Sequence, residues 1–318
     1  MHSQKIHNKK LILPVLIFLA GCLALAAVLY HSYRTNLKQV RAVTELNAIT
    51  YAERLQNDMN RGVAITDTLE EIVLSENGKI DNFQKVAGNL MTDFVQSIQV
   101  APDGVVTDIY PEAGNEAGKI DLIHDESRGE ICRYGRDKNI VTMQGPFDLK
   151  QGGRGIAIRN PVYLECPDGT SAFWGFTIVI IRIPEVFEKS VQALTQFGYD
   201  YCLTKTVSPL SDDTEVVSSS GNILKEPITF EFEFCGSTFG LEVMPTDGWN
   251  HGWNILPQLV FGISIILLLT GLTVIVLVVE RHREILKKMA ITDPLTGLLN
   301  RKGFDEQLKK MIQDDHCI

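Results

Sequence analysis

Two arginines carry side chains suited to recognition chemistry. Arg154 falls within Gln151-Gly152-Gly153-Arg154-Gly155, and Arg159 follows five residues later in the apolar stretch Gly155–Leu164. A guanidinium held in a pocket offers parallel N–H donors to a carboxylate or phosphate. Both are candidate ligand-binding residues for a small molecule or peptide, an anionic one if the arginines grip it. Strand alternation puts Arg159 on the face opposite Ile158, and a solvent-facing strand residue is the plain alternative. The Gly-rich stretch lacks the Lys and Ser/Thr of a Walker loop, so it reads as a tight hairpin between two strands and not as a phosphate cradle.

Other reactive side chains do not assemble into a pattern. The six cysteines form no CxxC and no Cys/His pairing at zinc spacing, so neither a metal site nor a catalytic group is expected. Cys132, Cys166, Cys202 and Cys235 can form up to two disulfides if their region is exported, and four cysteines allow three pairings. His282 has the side chain of a phosphoacceptor, yet it sits in a charged segment just before a different motif, described below. A net charge of -9 over 318 residues, with the basic clusters beside apolar runs, gives no nucleic-acid footprint.

Those apolar runs divide the chain. Leu11–Tyr30 and Ile255–Val279 are each long enough to cross a bilayer as a helix. Leu19-Ala20-Gly21-Cys22 resembles a lipoprotein cleavage box, but hydrophobicity continues through Leu29, beyond the core of a signal peptide, which favours an uncleaved span. Asn254 can cap the second helix with Pro257 in its first turn, and no Gly or Pro interrupts the run from Glu280 to Ile291. Pro245–Asn254 holds no Lys or Arg, whereas Arg281, Arg283, Lys287 and Lys288 follow the second span. The expected topology is therefore an inner (plasma) membrane protein with two spans, both termini cytoplasmic and residues 31–254 outside.

The outer region reads as α+β. A helical stalk covers 37–76, amphipathic through Leu37, Val40, Val43, Leu46 and Ile49 and then Leu55, Met59, Val63, Leu69 and Ile72; it can pack on its own domain, form a dimer seam, or both. A distal lobe spans 97–183. It opens with a hairpin of Ser97–Val100 and Val105–Tyr110 around Ala101-Pro102-Asp103-Gly104, then a helical stretch Ile120–Asn139 and strands Ile140–Met143, Gly155–Leu164 and Ala172–Ile183. Pro184 can open a helix over Glu185–Thr195. A proximal lobe at 199–245 holds strands Tyr199–Thr204, Glu215–Ser218, Ile228–Phe234 and Thr238–Val243.

Within these lobes Asp103-Gly104-Val105-Val106, Ile109-Tyr110-Pro111, Gly145-Pro146-Phe147-Asp148-Leu149, Arg159-Asn160-Pro161-Val162-Tyr163 and Phe173-Trp174-Gly175-Phe176 occur in an order that resembles the CHASE extracellular sensor domain over roughly residues 45–190. The resemblance implies a long helix followed by two PAS-like lobes, with ligand in the membrane-distal one. Plant cytokinin receptors of this family carry a hydroxyl residue where Arg159 stands, so cytokinin is not the expected ligand.

After the second span, Thr292-Asp293-Pro294-Leu295-Thr296-Gly297-Leu298-Leu299-Asn300-Arg301 resembles the entry motif of GGDEF domains, which make cyclic di-GMP from two GTP. Residues 280–291 would then be a signalling helix, or an ordinary charged juxtamembrane helix, and 292–318 an incomplete GGDEF domain. The 318 residues hold no Gly-Gly-Asp/Glu-Glu-Phe loop, so this chain is not expected to be a cyclase itself and needs no cofactor. GTP and Mg²⁺ are implied for a complete cyclase, and a homodimer by the need to bring two such domains together. The resulting expectation is a transmembrane receptor regulating cyclic di-GMP synthesis. A ligand-binding membrane protein without enzymatic output, or the sensor part of a histidine kinase, are the alternatives.

Overall fold

The computed structural model describes residues 2–112, 118, 120–150, 152–250, 253–293 and 296–314. The chain forms two compact units, one of Leu37–His251 and one of Met1–Asn36 with Gly252–Ile318. Helix α1 (His2–Ser75) contributes to both. It runs unbroken through the polar residues that follow the first apolar run, because none of them is Gly or Pro.

In the unit Leu37–His251, α1 buries a stripe at helical spacing: Ala48, Tyr51, Leu55, Met59, Leu69 and Val73. The later part of the helix, around residues 62–70, lies on one face of a five-stranded antiparallel sheet of order β2-β1-β5-β4-β3, a PAS-like lobe. Its strands are β1 (Val95–Pro102), β2 (Asp108–Tyr110), β3 (Thr142–Asp148), β4 (Arg154–Glu165) and β5 (Ser171–Ile183). Ile98, Ile156, Ile158, Val179 and Ile181 face the helix in one continuous core. The approach is close at Gly62, where an added Cβ would stand 2.7 Å from Ile158 Cδ1 and 3.2 Å from Ile181 Cγ2.

Helix α2 (Phe83–Leu90) buries Phe83 and Ala87. The Asp103-Gly104 turn joins β1 to β2 as expected, but β2 starts only at Asp108, because Val105 and Val106 pair with Asp121 and Ile120 instead. The expected helical stretch Ile120–Asn139 is helical only as α3 (Gly129–Lys138). Before it, Asp121 and Asp125 accept backbone N–H bonds from Ile123, His124, Ser127 and Arg128, turn chemistry that competes with helix. Strand β3 likewise starts later and runs further than Ile140–Met143. Pro184 leads into a 3-10 turn, Glu185–Phe187, ahead of α4 (Glu188–Gln196).

The second lobe is a four-stranded antiparallel sheet of order β7-β6-β9-β8, built from β6 (Tyr199–Thr206), β7 (Thr214–Ser219), β8 (Ile228–Phe234) and β9 (Ser237–Pro245). Cys235 and Gly236, with φ of 48° and 72°, make the two-residue left-handed turn that suits the twist of a hairpin. Phe232 stacks on Phe239 at 5.3 Å inside this lobe.

In the other unit, the start of α1 packs against α5 (Ile255–Ile291), which Asn254 caps by accepting the Leu256 N–H at 3.1 Å. Gly21 faces Ile266, Leu25 faces Gly262 and Tyr33 meets Trp253 edge-on, so the two helices run antiparallel with small residues at their closest approach. Both helices are long and apolar enough to cross a membrane, each with a window of mean hydropathy 2.8. Helix α6 (Arg301–Asp314) follows.

Candidate functional site

The distal sheet's other face, away from α1, carries the site. Register sets two adjacent cross-strand rows on it: Gln99–Ile178–Arg159–Thr142, and Ser97–Ile180–Ala157–Gln144. Neighbouring strands lie ~4.8 Å apart, so Gln99, Arg159 and Gln144 share one small floor, and Ala157 leaves room beside them. Above it is a cavity of about 530 Å³, within the range of small-molecule sites. Ile120, Leu122, Ile178 and Ile180 supply apolar lining, Gln99, Ser127, Arg128, Gln144 and Arg159 polar lining, and the carboxylates Asp148 and Glu215 also line it.

Arg159 is 4% exposed. Its Nε and Nη1 are shielded and make no hydrogen bond among the described residues. Burial pulls its pKa downward, with the neighbouring Cys132 acting the other way. An arginine keeps its charge regardless, so the cavity floor holds a cation with no paired carboxylate among the described residues. The nearest acid on the covering loop, Asp125, sits 3.8 Å from Arg128.

Gln144 donates through Nε2 to the Ser127 carbonyl at 2.9 Å. That bond assigns the amide, since the flipped form would set oxygen against oxygen. Its Oε1 is therefore turned away from Ser127, shielded and without a partner among the described residues. The strand can aim Gln144 in this way because its register slips just after it, between Gln144 and Phe147. Gly145, at φ 112°, makes the slip possible: a Cβ there would stand 2.7 Å from the Gly155 carbonyl oxygen.

Arg154, the other arginine expected at the site, begins β4 and does not line the cavity. Its guanidinium donates to the carbonyls of Val216 at 3.2 Å and Val217 at 3.5 Å, on β7. Gln151 of the adjoining Gly-rich hairpin lies outside the described residues; the hairpin itself closes through Leu149 N–H to Gly153 O at 2.9 Å. Glu215 reaches the cavity from β7 and pairs at 3.4 Å with Lys205, whose side chain is fully buried. Burial lowers the Lys205 pKa, and Glu215 raises it.

Among the described residues no group of three or more His, Cys, Asp or Glu is placed to hold a metal. Cys132, Cys166, Cys202 and Cys235 are free thiols. In the segment after α5, Asp293 Oδ1 accepts from the N–H and hydroxyl of Thr296 at 2.9 and 3.0 Å, and Asn300 Oδ1 accepts from Gly303 N–H at 2.9 Å, capping α6. Pro294 and Leu295 lie outside the described residues.

Sequence reasoning had not named Gln99 or Gln144. Each had a signal: Gln99 stands between the buried Ile98 and Val100 of β1, and Gln144 precedes Gly145-Pro146 at the strand irregularity. What placed them beside Arg159 was register across four strands, β1, β5, β4 and β3, which no local pattern contains.

A family model described as the CHASE domain matches residues 30–215. No curated protein matches the chain. Solved structures similar to it include an extracellular ligand binding receptor from Desulfohalobium retbaense, 12% identical, TM-score 0.48, covering 63% of this chain and 39% of that one. The ligand binding domain of the Pseudomonas aeruginosa amino acid chemoreceptor PctC in complex with GABA is 11% identical, with TM-score 0.38 and coverage of 65% and 97%. The periplasmic sensory domain of the Campylobacter jejuni chemoreceptor Tlp1 is 13% identical, with TM-score 0.43 and coverage of 69% and 99%.

Proposed function

Because the chain belongs to the CHASE-domain family, we propose that it is a membrane receptor whose distal lobe binds a small organic anion in the cavity above Arg159. The observation that carries this reading is the buried guanidinium, which among the described residues has no carboxylate at ion-pair distance and leaves two nitrogens without a hydrogen bond. Such a group costs several kcal/mol to bury unless something compensates it. A carboxylate entering the cavity would compensate its charge.

The two apolar helices are assigned as membrane spans, with residues 31–254 outside and both termini in the cytoplasm, on the strength of Arg281, Arg283, Lys287 and Lys288 following the second. The output is assigned to cyclic di-GMP synthesis by a GGDEF domain that begins at Asp293–Arg301 and uses GTP and Mg²⁺. The motif and its capped turn support this. Val43 and Leu46, one helical turn apart and exposed on α1, support a homodimer through the stalk.

The binding claim is tested on the full chain in detergent, following thermal unfolding by tryptophan fluorescence with millimolar small carboxylates and phosphate monoesters. A rise in Tm in the wild type that is absent in Arg159→Ala supports it. No rise with any compound, or an equal rise in the variant, removes it. The output claim is tested by reading the DNA after codon 318: a continuing frame with Gly-Gly-Asp/Glu-Glu-Phe supports it, and a kinase core there would replace it.

A further inference from the structure

We infer that the distal cavity selects a carboxylate bearing a hydrogen-bond donor on a nearby carbon, a hydroxy- or amino-carboxylate in place of a plain alkyl one, and that Gln144 is the selecting residue. This rests on the binding role proposed for Arg159. Unpartnered buried atoms meet on one floor among the described residues: donors at Arg159 Nε and Nη1, an acceptor at Gln144 Oε1, and the Thr142 hydroxyl in the Arg159 row. The two residues are diagonal neighbours on adjacent strands, since Thr142 pairs with Arg159 and Gln144 with Ala157. Diagonal Cβ atoms lie ~7–8 Å apart, within reach of a single small molecule placed between two long side chains.

An occupant that only accepts satisfies the guanidinium and leaves the Gln144 oxygen unpaired. That oxygen cannot turn to another protein donor, because the Nε2 bond to Ser127 holds the amide in place. An O–H or N–H beside the carboxylate completes both. The apolar lining at Ile120, Leu122, Ile178 and Ile180 favours a carbon skeleton behind these polar groups.

The test uses probes of one skeleton: hexanoate, 2-hydroxyhexanoate, 3-hydroxyhexanoate and norleucine, titrated calorimetrically into the full chain in detergent. At least one donor-bearing probe should bind the wild type about fivefold or more tighter than hexanoate, the worth of one hydrogen bond. In Gln144→Met that preference should fall below about twofold while hexanoate affinity stays within about twofold. Gln144→Glu, which keeps acceptor oxygens and adds charge, should favour norleucine over the hydroxy acids and guards against a folding defect in the first variant. Equal binding of all four probes, abolished in Arg159→Met, overturns the selection and leaves the Arg159 reading standing. Binding of none overturns both. A preference that survives both Gln144 variants assigns selection to another residue and overturns the inference.

Discussion

Replacing Arg159 with Met should make the ligand-free protein more stable, although it removes the residue assigned to binding. Arg159 is 4% exposed, and its Nε and Nη1 make no hydrogen bond among the described residues. Leaving a buried polar group unpaired costs about 1–3 kcal/mol, more when charged. Met has similar length, no polar hydrogens and a flexible chain that can fill the space beside Ile178 and Ala157. Relieving two unpaired donors, less some loss of packing, leaves a gain of about 2 kcal/mol. For a unit of the size of Leu37–His251, each kcal/mol moves Tm by about 2–4 °C, so Arg159→Met should melt about 4–8 °C higher. The assay is thermal unfolding of the full chain by tryptophan fluorescence, without added carboxylate. A variant that melts lower than the wild type would show that the guanidinium is already compensated in the free protein, and the argument for an anion site would fail with it.

Four further outcomes follow from other parts of the unit. Glu215→Gln leaves Lys205 buried without its carboxylate and should cost about 2 kcal/mol, less than a wholly buried pair because Glu215 is 30% exposed; chemical denaturation measures it. Since burial holds the Lys205 pKa below its ordinary 10.5, the unfolded chain binds the proton first. Stability should therefore fall as pH drops from 10.5 into the window below, and Glu215→Gln should widen that window; a flat profile over that range in both proteins would contradict the burial argument. Burial pushes the Cys235 thiol up to about 12 from 9.0, so at pH 8 its thiolate fraction is about 1000-fold below that of an ordinary thiol. Iodoacetamide labelling mapped by mass spectrometry should be slower in native protein by that order than in urea, and a native rate within tenfold would refute it. Gly62→Leu drives a side chain into Ile158 and Ile181 and should destabilise by about 1–3 kcal/mol in the same denaturation assay, with Gly62→Ala milder; a neutral Gly62→Leu would mean that α1 does not lie tight on the sheet.

Much of the architecture was legible in the residues because its causes are local. Runs of twenty or so mostly apolar residues make helices long and apolar enough to cross a bilayer, the heptad-like stripe on α1 makes a buried face, and Asp103-Gly104 and Cys235-Gly236 make turns through backbone preferences of their own. The same locality explains the errors: Ile120–Asn139 has helical composition, but Asp121 and Asp125 spend their carboxylates on the backbone and hold the first half as turns over the cavity. The site was only half legible. The type of Arg159 and its face followed from alternation along one strand. Whether that face met solvent, a helix or a cavity depended on what packed above it. Its neighbours Gln99 and Gln144 stand 60 and 15 residues away in sequence, and antiparallel register across β1, β5, β4 and β3 brings them together. Arg154 makes the contrast: by sequence it was the second candidate, yet its place at the start of β4 commits its guanidinium to two carbonyls of β7. Residue type decides what a side chain can bind, whereas only the pairing of distant strands decides what is left for it to bind.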